Sequence, residues 1–311
     1  MTHKQPSNIA ASIHGRLLAG AKRTGADFHA ELVRYGNERL LARIAASEHA
    51  ALFVLKGATL FALWASTPHR PTRDIDLHGS GPNAPDDLAR VFRAICDQNL
   101  ADQDGLVFHG DTVAASVIRE DQEYEGVRVT MLATLGKARI ALQVDVGFGD
   151  AVYPQPAEVA MPSMLGLPTG VWRAYQRETV VAEKLQAMVV LGMGNSRMKD
   201  FFDLWILQRD FSFGGEPLSE AVRQTFERRR TEIPATTPLA LTATFGRDAA
   251  KRTQWRAFLN KAKLDAPDLD IVVSALAEFL LPVVAGRLTM ERRLGAWPAG
   301  GPWQLKSKTG A

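Results

Sequence analysis

Apolar residues recur every three or four positions in the first part of the chain. In the stretch ADFHAELVRYGNERLLARIAAS, this spacing connects Phe28, Leu32, Tyr35, Leu40 and Ile44. A repeat close to 3.6 residues places apolar side chains on one face of an α-helix. We therefore expect the first part of the chain, up to about residue 50, to be helical.

Short apolar runs and alternating patterns follow, which are typical of strands separated by helices. ALFVLKG predicts a short strand that ends at Gly57, ATLFALWAST predicts a helix, and DIDLHG predicts a second strand. DDLARVFRAICDQN has helical spacing, and three more strands are predicted at TVAASVI, VRVTMLATL and ARIALQVDVGFG. This half of the chain therefore predicts a mixed α/β unit with a mostly β end.

The pattern changes after Asp150. YPQPAEVAMPSMLGLPTG is rich in proline and glycine and predicts a connecting segment with one edge strand. Helical spacing then continues from Tyr175 almost to the end, where WPAGGPWQLKSKTGA predicts a loop or tail. We expect an α/β (α+β) fold, with a small mixed β-sheet and flanking helices over residues 1–168 and a mainly helical domain over residues 169–311.

Two acids stand inside the second predicted strand, in the stretch RDIDLHG. Because side chains alternate between the faces of a strand, Asp74 and Asp76 share one face, while Ile75 and Leu77 point into the core. Two carboxylates on one face repel each other unless positive charge lies between them. A divalent cation such as Mg²⁺ accepts these oxygen ligands, often together with a substrate phosphate. The alternative is a strand whose polar face is exposed to solvent.

A third acid, Asp145, stands near the end of the strand predicted at ARIALQVDVGFG. It lies on the polar face of a strand whose other face is apolar. If this strand lies beside DIDL, three carboxylates converge, an arrangement that suits two Mg²⁺ ions in a phosphoryl displacement. The alternative for Asp145 alone is an acid that faces the edge of the sheet.

A glycine turn precedes the acid pair. Gly57, in LKGATLFALW, allows the backbone to approach a ligand closely, and the amides that follow open a helix N-terminus that favours phosphate. The chain lacks the G-x-x-x-x-G-K-[ST] pattern of a P-loop. The turn therefore fits a strand–helix–strand unit that holds triphosphate and metal together.

A second group of charged residues lies in the helical half. In RETVVAEKLQAMVVLG, helical spacing places Lys184 among apolar residues, where an ammonium group is costly unless it meets an anion. A nucleotide phosphate or an acid would serve, and the alternative is a lysine that extends to the helix edge. In SRMKDFFDLWIL, Asp200 and Asp203 lie on neighbouring parts of one helix face. Arg197 and Lys199 could pair with these acids or reach phosphate.

Composition excludes several classes of protein. Hydrophobic residues are 46% of the chain and charged residues 23%, as in ordinary globular proteins. No apolar run reaches the ~18 residues needed to span a membrane, and the first residues lack the apolar segment of a secretory signal. The single cysteine, Cys96, rules out an internal disulfide and fits a reducing compartment. We therefore expect a cytoplasmic protein without a membrane partner.

Positive charge is concentrated in the helical half. The net charge of the chain is +3, and residues 216–263 contain ten Lys or Arg but only five Asp or Glu. Such a segment is either a solvated helix face or a surface that follows the phosphates of a nucleic acid.

The quoted motifs together resemble a known family. LKGATLFALW, RPTRDIDL and RETVVAEKLQAMVVLGMGNSRMKDFFDLWIL are similar to the nucleotidyltransferase superfamily of the DNA polymerase β type. Within that superfamily, residues 30–290 resemble the AbiEii/AbiGii toxin family, which includes the MenT-like toxins. The resemblance implies a small mixed-sheet nucleotidyltransferase core, followed by a helical domain that contributes a lysine and acids to the site.

The resemblance also implies catalytic residues. Asp74 and Asp76 match the metal-binding pair of the superfamily, and Asp145 would be the third acid. Lys184 falls on the catalytic lysine of the toxin family, and Asp200 or Asp203 falls on its later acid.

The expected nucleotide contacts lie around the glycine turn and beyond it. Gly57 and Ala58 fall where the superfamily has Gly-Gly or Gly-Ser, so Ala58 offers its backbone N–H but no hydroxyl to a phosphate. Nucleotide binding is expected from Lys56, Gly57, Ala58, Thr59, Arg70 and Lys199. His78 is expected on the strand face opposite the acids, in a structural role.

These residues predict an enzyme that uses Mg²⁺, with Mn²⁺ as an alternative, to move a nucleoside monophosphate from an NTP to an acceptor. The resemblance implies the toxin of a type IV-like toxin–antitoxin or abortive-infection system in phage defence, with a separately encoded antitoxin. Some relatives act on the 3′ end of tRNA, and residues 223–263 are a candidate RNA surface. Two alternatives stay open: a non-catalytic nucleotide- or RNA-binding protein, and a transferase that acts on a protein or small-molecule hydroxyl.

Overall fold

The computed structural model describes residues 8–64, 70, 72–100, 102–120, 124–285 and 294–305. The chain forms two compact units. The first comprises Met1–Gly149 and Ala157–Ala174, and the second comprises Asp150–Pro156 and Tyr175–Ala311. No helix among these described residues is long and apolar enough to cross a membrane.

The first unit begins with two helices, α1 (Ile9–Thr24) and α2 (Phe28–Ala46), which confirm the helical pattern predicted there. Asn8 Oδ1 accepts a hydrogen bond from the Ala11 amide at 2.9 Å, and Asp27 Oδ1 accepts one from the Ala30 amide at 2.8 Å. Each of these caps satisfies an amide that the first turn of a helix leaves without a partner. Two further helices of this unit are α3 (Phe61–Trp64) and α4 (Pro85–Cys96).

A seven-stranded mixed sheet forms the centre of the first unit, in the order β3-β4-β5-β2-β1-β7-β6. The strands are β1 (Phe53–Lys56), β2 (Ile75–Gly79), β3 (Leu106–Glu120), β4 (Tyr124–Leu135), β5 (Ala138–Phe148), β6 (Ala157–Ala160) and β7 (Val171–Ala174). β2 pairs with β5 in parallel and with β1 in antiparallel orientation. The predicted mixed sheet with flanking helices is therefore confirmed, and it places β2 and β5 side by side.

Two elements of the first unit differ from the sequence prediction. β7 was not predicted, because four residues directly after a stretch rich in glycine and proline carry too little periodicity to be recognised. The helix expected directly after Gly57 begins instead as a 3-10 helix, Gly57–Leu60, and only then continues as the single turn of α3. Residues 65–67 of that prediction lie outside the described residues.

A buried ion network fastens α2 to the segment that precedes β3. Asp104, which is 3% exposed, pairs with Arg39 Nε at 3.1 Å and with Arg43 Nη1 at 2.5 Å. The Tyr35 hydroxyl donates to the Asp104 carbonyl at 2.8 Å, and the Leu106 amide donates to Asp104 Oδ1 at 3.1 Å. Burial alone would raise the pKa of Asp104, but the hydrogen bonds and charges of its partners, Arg43 above all, hold that pKa below its ordinary value.

The second unit is mainly helical. Its elements are α5 (Arg177–Leu191), α6 (Met198–Asp210), β8 (Phe213–Gly214), α7 (Gly215–Arg228), α8 (Ala243–Arg247), α9 (Ala249–Ala262), α10 (Leu269–Ala285) and β9 (Ala296–Trp297). β9 extends by one residue, Trp297, into the segment predicted to be loop or tail, and it pairs with β8. Trp297 is 2% exposed, and its indole N–H donates to the Gln208 carbonyl at 2.8 Å. This part of the chain is therefore folded against the helices of its unit.

Candidate active site

The acid pair lies at the start of β2. Ile75 and Leu77 are fully buried, whereas Asp76 between them is partly exposed. Asp74 comes immediately before the strand, and its Oδ1 accepts a hydrogen bond from Thr72 Oγ1 at 2.8 Å. The alternation of the strand therefore turns Asp76 away from the core, as the sequence predicted.

The same alternation contradicts the expectation for His78. Burial alternates along β2, and His78 falls with Asp76 on the partly exposed face. The expectation was wrong because residues two apart in a strand share a face. His78 therefore lies on the side of the sheet that carries the acids.

The third acid joins the pair through the parallel pairing of β2 with β5. Asp76 lies directly opposite Asp145 in this register. One carboxylate oxygen from each of Asp74, Asp76 and Asp145 can be chosen so that all three lie within 4.8 Å of one another. All three residues are partly exposed. The structure thus brings together the three acids that the sequence singled out.

The acids belong to a row of charges that crosses four neighbouring strands. Lys56 on β1 lies opposite Asp76 on β2, and Arg128 on β4 lies opposite Asp145 on β5. Directly opposed residues on paired strands point to the same face of a sheet. We call Lys56, Asp76, Asp145 and Arg128 the charged row. A cation at each end of the row offsets part of the repulsion between the two carboxylates.

Asp145 is held by two polar neighbours on its own face. Arg128 Nε donates to Asp145 Oδ1 and Arg128 Nη2 donates to Asp145 Oδ2, each at 2.8 Å. Gln143 Nε2 lies 3.2 Å from both oxygens. Two parallel N–H···O bonds from a guanidinium fix the plane of a carboxylate as well as its position. The side chain of Asp145 is accordingly well oriented, although Arg128 remains 40% exposed.

Gly57 places the backbone of the turn directly against Asp76. Its φ angle is +74°, in the left-handed region that glycine adopts without steric cost. A Cβ atom built at this position would lie 1.9 Å from Asp76 Oδ2. Both the backbone conformation and the space beside the carboxylate therefore require glycine, a reason that the sequence alone does not reveal.

The other residues expected to bind nucleotide in this unit belong to β1, the glycine turn and the segment before β2. Lys56 is at one end of the charged row, and Thr59 is partly exposed in the 3-10 helix. Ala58 is 8% exposed. Arg70 is partly exposed in the segment before β2. Because the turn leads into a 3-10 helix and one α-helical turn, the helix dipole expected for phosphate binding is weak here.

The second unit contains its own cluster of predicted residues, at the packing of α5 against α6. Lys184 Nζ lies 2.5 Å from Asp200 Oδ1 and 2.9 Å from Asp203 Oδ2. The two carboxylates are 1% and 0% exposed, and the lysine side chain is 16% exposed. The sequence suggested a nucleotide phosphate or an acid as the partner of Lys184, and in the structure its partners are the two acids. A buried carboxylate needs such a partner, because its charge is otherwise strongly destabilised.

Arg197 and Lys199, at the start of α6, lie in different surroundings. Arg197 Nε pairs with Asp200 Oδ2 at 2.9 Å. Lys199 is exposed, so it takes no part in the cluster of Lys184, Asp200 and Asp203. The structure therefore brings Arg197 to the acids and places Lys199 on the outside of the helix.

Comparison with known proteins identifies the family of the chain. The sequence model of the nucleotidyl transferase AbiEii toxin of type IV toxin–antitoxin systems matches residues 39–280. The chain belongs to this family. The match spans the charged row, the glycine turn and the cluster around Lys184. Membership confirms a nucleotidyltransferase and implies an NTP substrate and an antitoxin partner.

Solved structures and curated proteins add little to the family match. A candidate nucleotidyltransferase from H. pylori is 16% identical, with a TM-score of 0.41, covering 83% of this chain and 98% of its own. The protein JHP933 from Helicobacter pylori is 16% identical, with a TM-score of 0.38, covering 82% and 90%. Scores this low support no argument about the function. Among curated proteins, none matches the sequence.

Sequence reasoning missed three residues at the acids of this AbiEii family member: Thr72, Arg128 and Gln143. Arg128 and Gln143 occupy partly exposed positions of strands whose other face is buried. That pattern shows that they face away from the core. Their contact with Asp145 depends on strand register, which the pattern does not give.

The basic segment of the second unit is only partly available as a surface. Arg223 pairs with Glu220 and Glu227, and Arg229 pairs with Asp150 at 2.8 Å. Lys251 is 7% exposed and donates to the Asn195 carbonyl at 2.9 Å. The exposed cations of the segment are Arg228, Arg230, Arg247, Arg256, Lys261 and Lys263, and Arg256 lies 3.8 Å from Asp268.

Proposed function

We propose that this AbiEii family member is a Mg²⁺-dependent nucleotidyltransferase that moves a nucleoside monophosphate from an NTP to an RNA hydroxyl. The convergence of Asp74, Asp76 and Asp145 carries the proposal. Three carboxylates that approach this closely repel one another, and a hard divalent cation is the ligand that best relieves the repulsion.

The donor set fits Mg²⁺, with Mn²⁺ as a substitute. All three acids offer carboxylate oxygens, which these cations prefer to nitrogen or sulfur ligands. Asp74, Asp76 and Asp145 would hold the cation, which would supply positive charge to the triphosphate of the NTP and to the leaving pyrophosphate.

Protein side chains and backbone would supply binding and orientation. Lys56 and Arg70 provide positive charge on the acid-bearing unit for the phosphates, and the Gly57 turn offers backbone amides at Ala58 and Thr59. Because phosphoryl transfer depends mainly on positioning and electrostatics, such fixed groups account for most of the expected catalysis.

We also propose that Lys184, Asp203 and Asp200 are required for transfer, with Lys199 as a further phosphate contact. Support comes from the family resemblance and from the buried ion pairs of Lys184. Burying two carboxylates and a lysine seldom adds stability compared with apolar residues of similar size. A functional requirement would explain why this family member has them.

The proposed acceptor is the 3′ end of tRNA, and the proposed role is that of a cytoplasmic toxin that acts in phage defence and is neutralised by a separately encoded antitoxin. Six exposed cations within residues 228–263 support an RNA partner, because lysine and arginine pair with backbone phosphates. This surface is smaller than the sequence suggests, since Arg223, Arg229 and Lys251 are engaged within the protein.

The test is a transfer reaction with each of the four NTPs, labelled at the α-phosphate, together with Mg²⁺ and total cellular RNA. Asp76→Asn removes one predicted ligand without changing the size of the side chain. Asp86→Asn is the matched control, because Asp86 is exposed on α4. We expect wild type and Asp86→Asn to label an RNA of tRNA size and Asp76→Asn to label nothing.

Other outcomes would redirect the proposal. Label on protein or on a small molecule would replace RNA as the acceptor but retain the transfer reaction. Binding of an NTP without any labelled product would favour the non-catalytic alternative. Full activity of Asp76→Asn would contradict the assignment of the acids.

A further inference from the structure

The carboxylate of Asp145 already accepts hydrogen bonds on both of its oxygens, unlike a carboxylate that is available to a metal ion. Four N···O contacts reach it: two at 2.8 Å from Arg128 and two at 3.2 Å from Gln143. An ionised carboxylate offers about four lone-pair positions. A cation that binds Asp145 directly must therefore displace one of these donors.

Arg128 is the donor whose displacement matters most. Its two bonds are shorter than those of Gln143, and its positive charge would lie beside a divalent cation once both contact the same carboxylate. Two like charges at such a distance repel each other, most strongly where water is partly excluded. Because the Arg128 side chain is 40% exposed, the guanidinium has room to turn into solvent.

We propose that Arg128 competes with the divalent cation for Asp145, so that the third acid of the site becomes a metal ligand only when Arg128 releases it. This inference rests on the metal-dependent function proposed above. Asp74 and Asp76 then form the part of the site that meets a cation first. Arg128 sets how readily Asp145 joins this site. Once it has released Asp145, the Arg128 guanidinium can contact a phosphate of the substrate.

The opposite role for Arg128 makes a different prediction. If the arginine only orients Asp145 for the metal, its removal should weaken cation binding as the loss of Asp145 does. If it competes, its removal should strengthen binding. The sign of the change in cation affinity therefore decides between the two roles without any measurement of catalysis.

The experiment is a titration of the full-length protein, stripped of metal by a chelator, with Mn²⁺ alone, read by electron paramagnetic resonance. Arg128→Gln removes the competing charge. Arg139→Gln is the matched control, because Arg139 is exposed on the same sheet but near the other end of β5, opposite Thr134. We expect Arg128→Gln to bind Mn²⁺ about tenfold more tightly than wild type and Arg139→Gln to match wild type.

Asp145→Asn shows whether the change passes through the third acid. Adding Arg128→Gln to Asp145→Asn should change Mn²⁺ affinity less than twofold, because the contested carboxylate is gone. Arg128→Lys keeps the charge but not the paired N–H bonds, and it carries the same test if Arg128→Gln does not fold. Tighter binding by Arg128→Lys than by wild type, lost in the Asp145→Asn background, would support competition.

Two results would overturn the inference. Unchanged or weaker Mn²⁺ binding by folded Arg128→Gln, with wild type still binding, would show that Arg128 does not compete while leaving the metal site intact. Failure of wild type to bind Mn²⁺ would overturn both this inference and the metal-dependent function on which it rests.

Discussion

Gly57 and Asp76 show how one backbone position constrains the side chain of a candidate metal ligand. The turn has a left-handed backbone, and its Cα faces a carboxylate so closely that a Cβ would lie 1.9 Å from Asp76 Oδ2. Lys184 shows the same dependence between side chains, because the buried carboxylates of Asp200 and Asp203 rely on its ammonium group. At both places one residue helps to fix the positions of charged neighbours.

Gly57→Ala should impair stability and transfer together. The positive φ angle costs a residue with a Cβ about 1–2 kcal/mol, and the clash displaces Asp76 in addition. We expect the free energy of unfolding to fall by about 2 kcal/mol or more, and the transfer rate to fall by about 100-fold because a catalytic group is misplaced. Chemical denaturation and the labelling reaction measure the two effects.

Gly25→Ala separates the backbone effect from the clash. Gly25 has a φ angle of +69°, and an added Cβ would meet nothing within 4 Å. We expect a loss of about 1 kcal/mol in stability with transfer unchanged. Equal transfer rates for the Gly57 and Gly25 variants would contradict the close approach to Asp76.

Lys184→Met should destabilise the second unit strongly. It leaves two buried carboxylates without their ammonium partner, which costs about 3–5 kcal/mol in comparable cases. Lys199→Met, at an exposed position of α6, is the control and should change stability by less than about 0.5 kcal/mol. Adding Asp203→Asn to Lys184→Met should recover part of the loss. Similar unfolding curves for the two lysine variants would refute the buried ion pairs.

At the scale of elements, strand pairing assembles the candidate site. Elsewhere in the first unit, buried ion pairs connect a helix to the sheet. The register of β1, β2, β5 and β4 places Lys56, Asp76, Asp145 and Arg128 in one row. On another side of the first unit, Asp104 joins α2 to the start of β3 through Arg39 and Arg43. The pKa of Asp104 lies below its ordinary value, so its ionised form stabilises the folded state.

Asp104→Asn tests this network through its dependence on pH. Because the folded pKa of Asp104 is lowered, its contribution is fully present above the unfolded value of about 4 and is lost as pH falls through the folded pKa. We expect the variant to be about 3 kcal/mol less stable than wild type near neutral pH. The difference should shrink below about pH 4. A difference that is constant with pH in urea denaturation would contradict the assignment.

The sequence predicted those parts of the site that depend on local pattern. Alternation within one strand placed Asp74 and Asp76 away from the core, and the same alternation, correctly applied, places His78 with them. The convergence with Asp145 was conditional on the two strands lying side by side, which periodicity cannot establish. Arg128 was missed for the same reason, since its contact with Asp145 arises from the register between β4 and β5.

Other differences also have physical causes. β7 has only four residues, too few for a recognisable period. Lys251 was counted as part of a basic surface, but it is buried and bonded to a backbone carbonyl. Sequence counts of charge take no account of such contacts, so they overstate the surface that a nucleic acid could meet.

At the scale of the whole molecule, the family match and the charge distribution bear on function in different ways. The AbiEii match over residues 39–280 establishes a nucleotidyltransferase of a toxin–antitoxin family. The exposed cations of residues 228–263 are consistent with an RNA acceptor, but the net charge of +3 is too small to require one. The three acids are therefore the feature on which the proposed function of this protein depends most.

The most direct test is anomalous diffraction from crystals of the full-length protein grown with Mn²⁺ and a non-hydrolysable NTP. We expect an anomalous peak within coordination distance of the Asp74 and Asp76 carboxylates, with a triphosphate oxygen as a further ligand. Asp76→Asn crystals should lose the peak, and Asp86→Asn crystals should retain it. A nucleotide bound elsewhere, or a cation bound away from these acids, would contradict the proposed metal site.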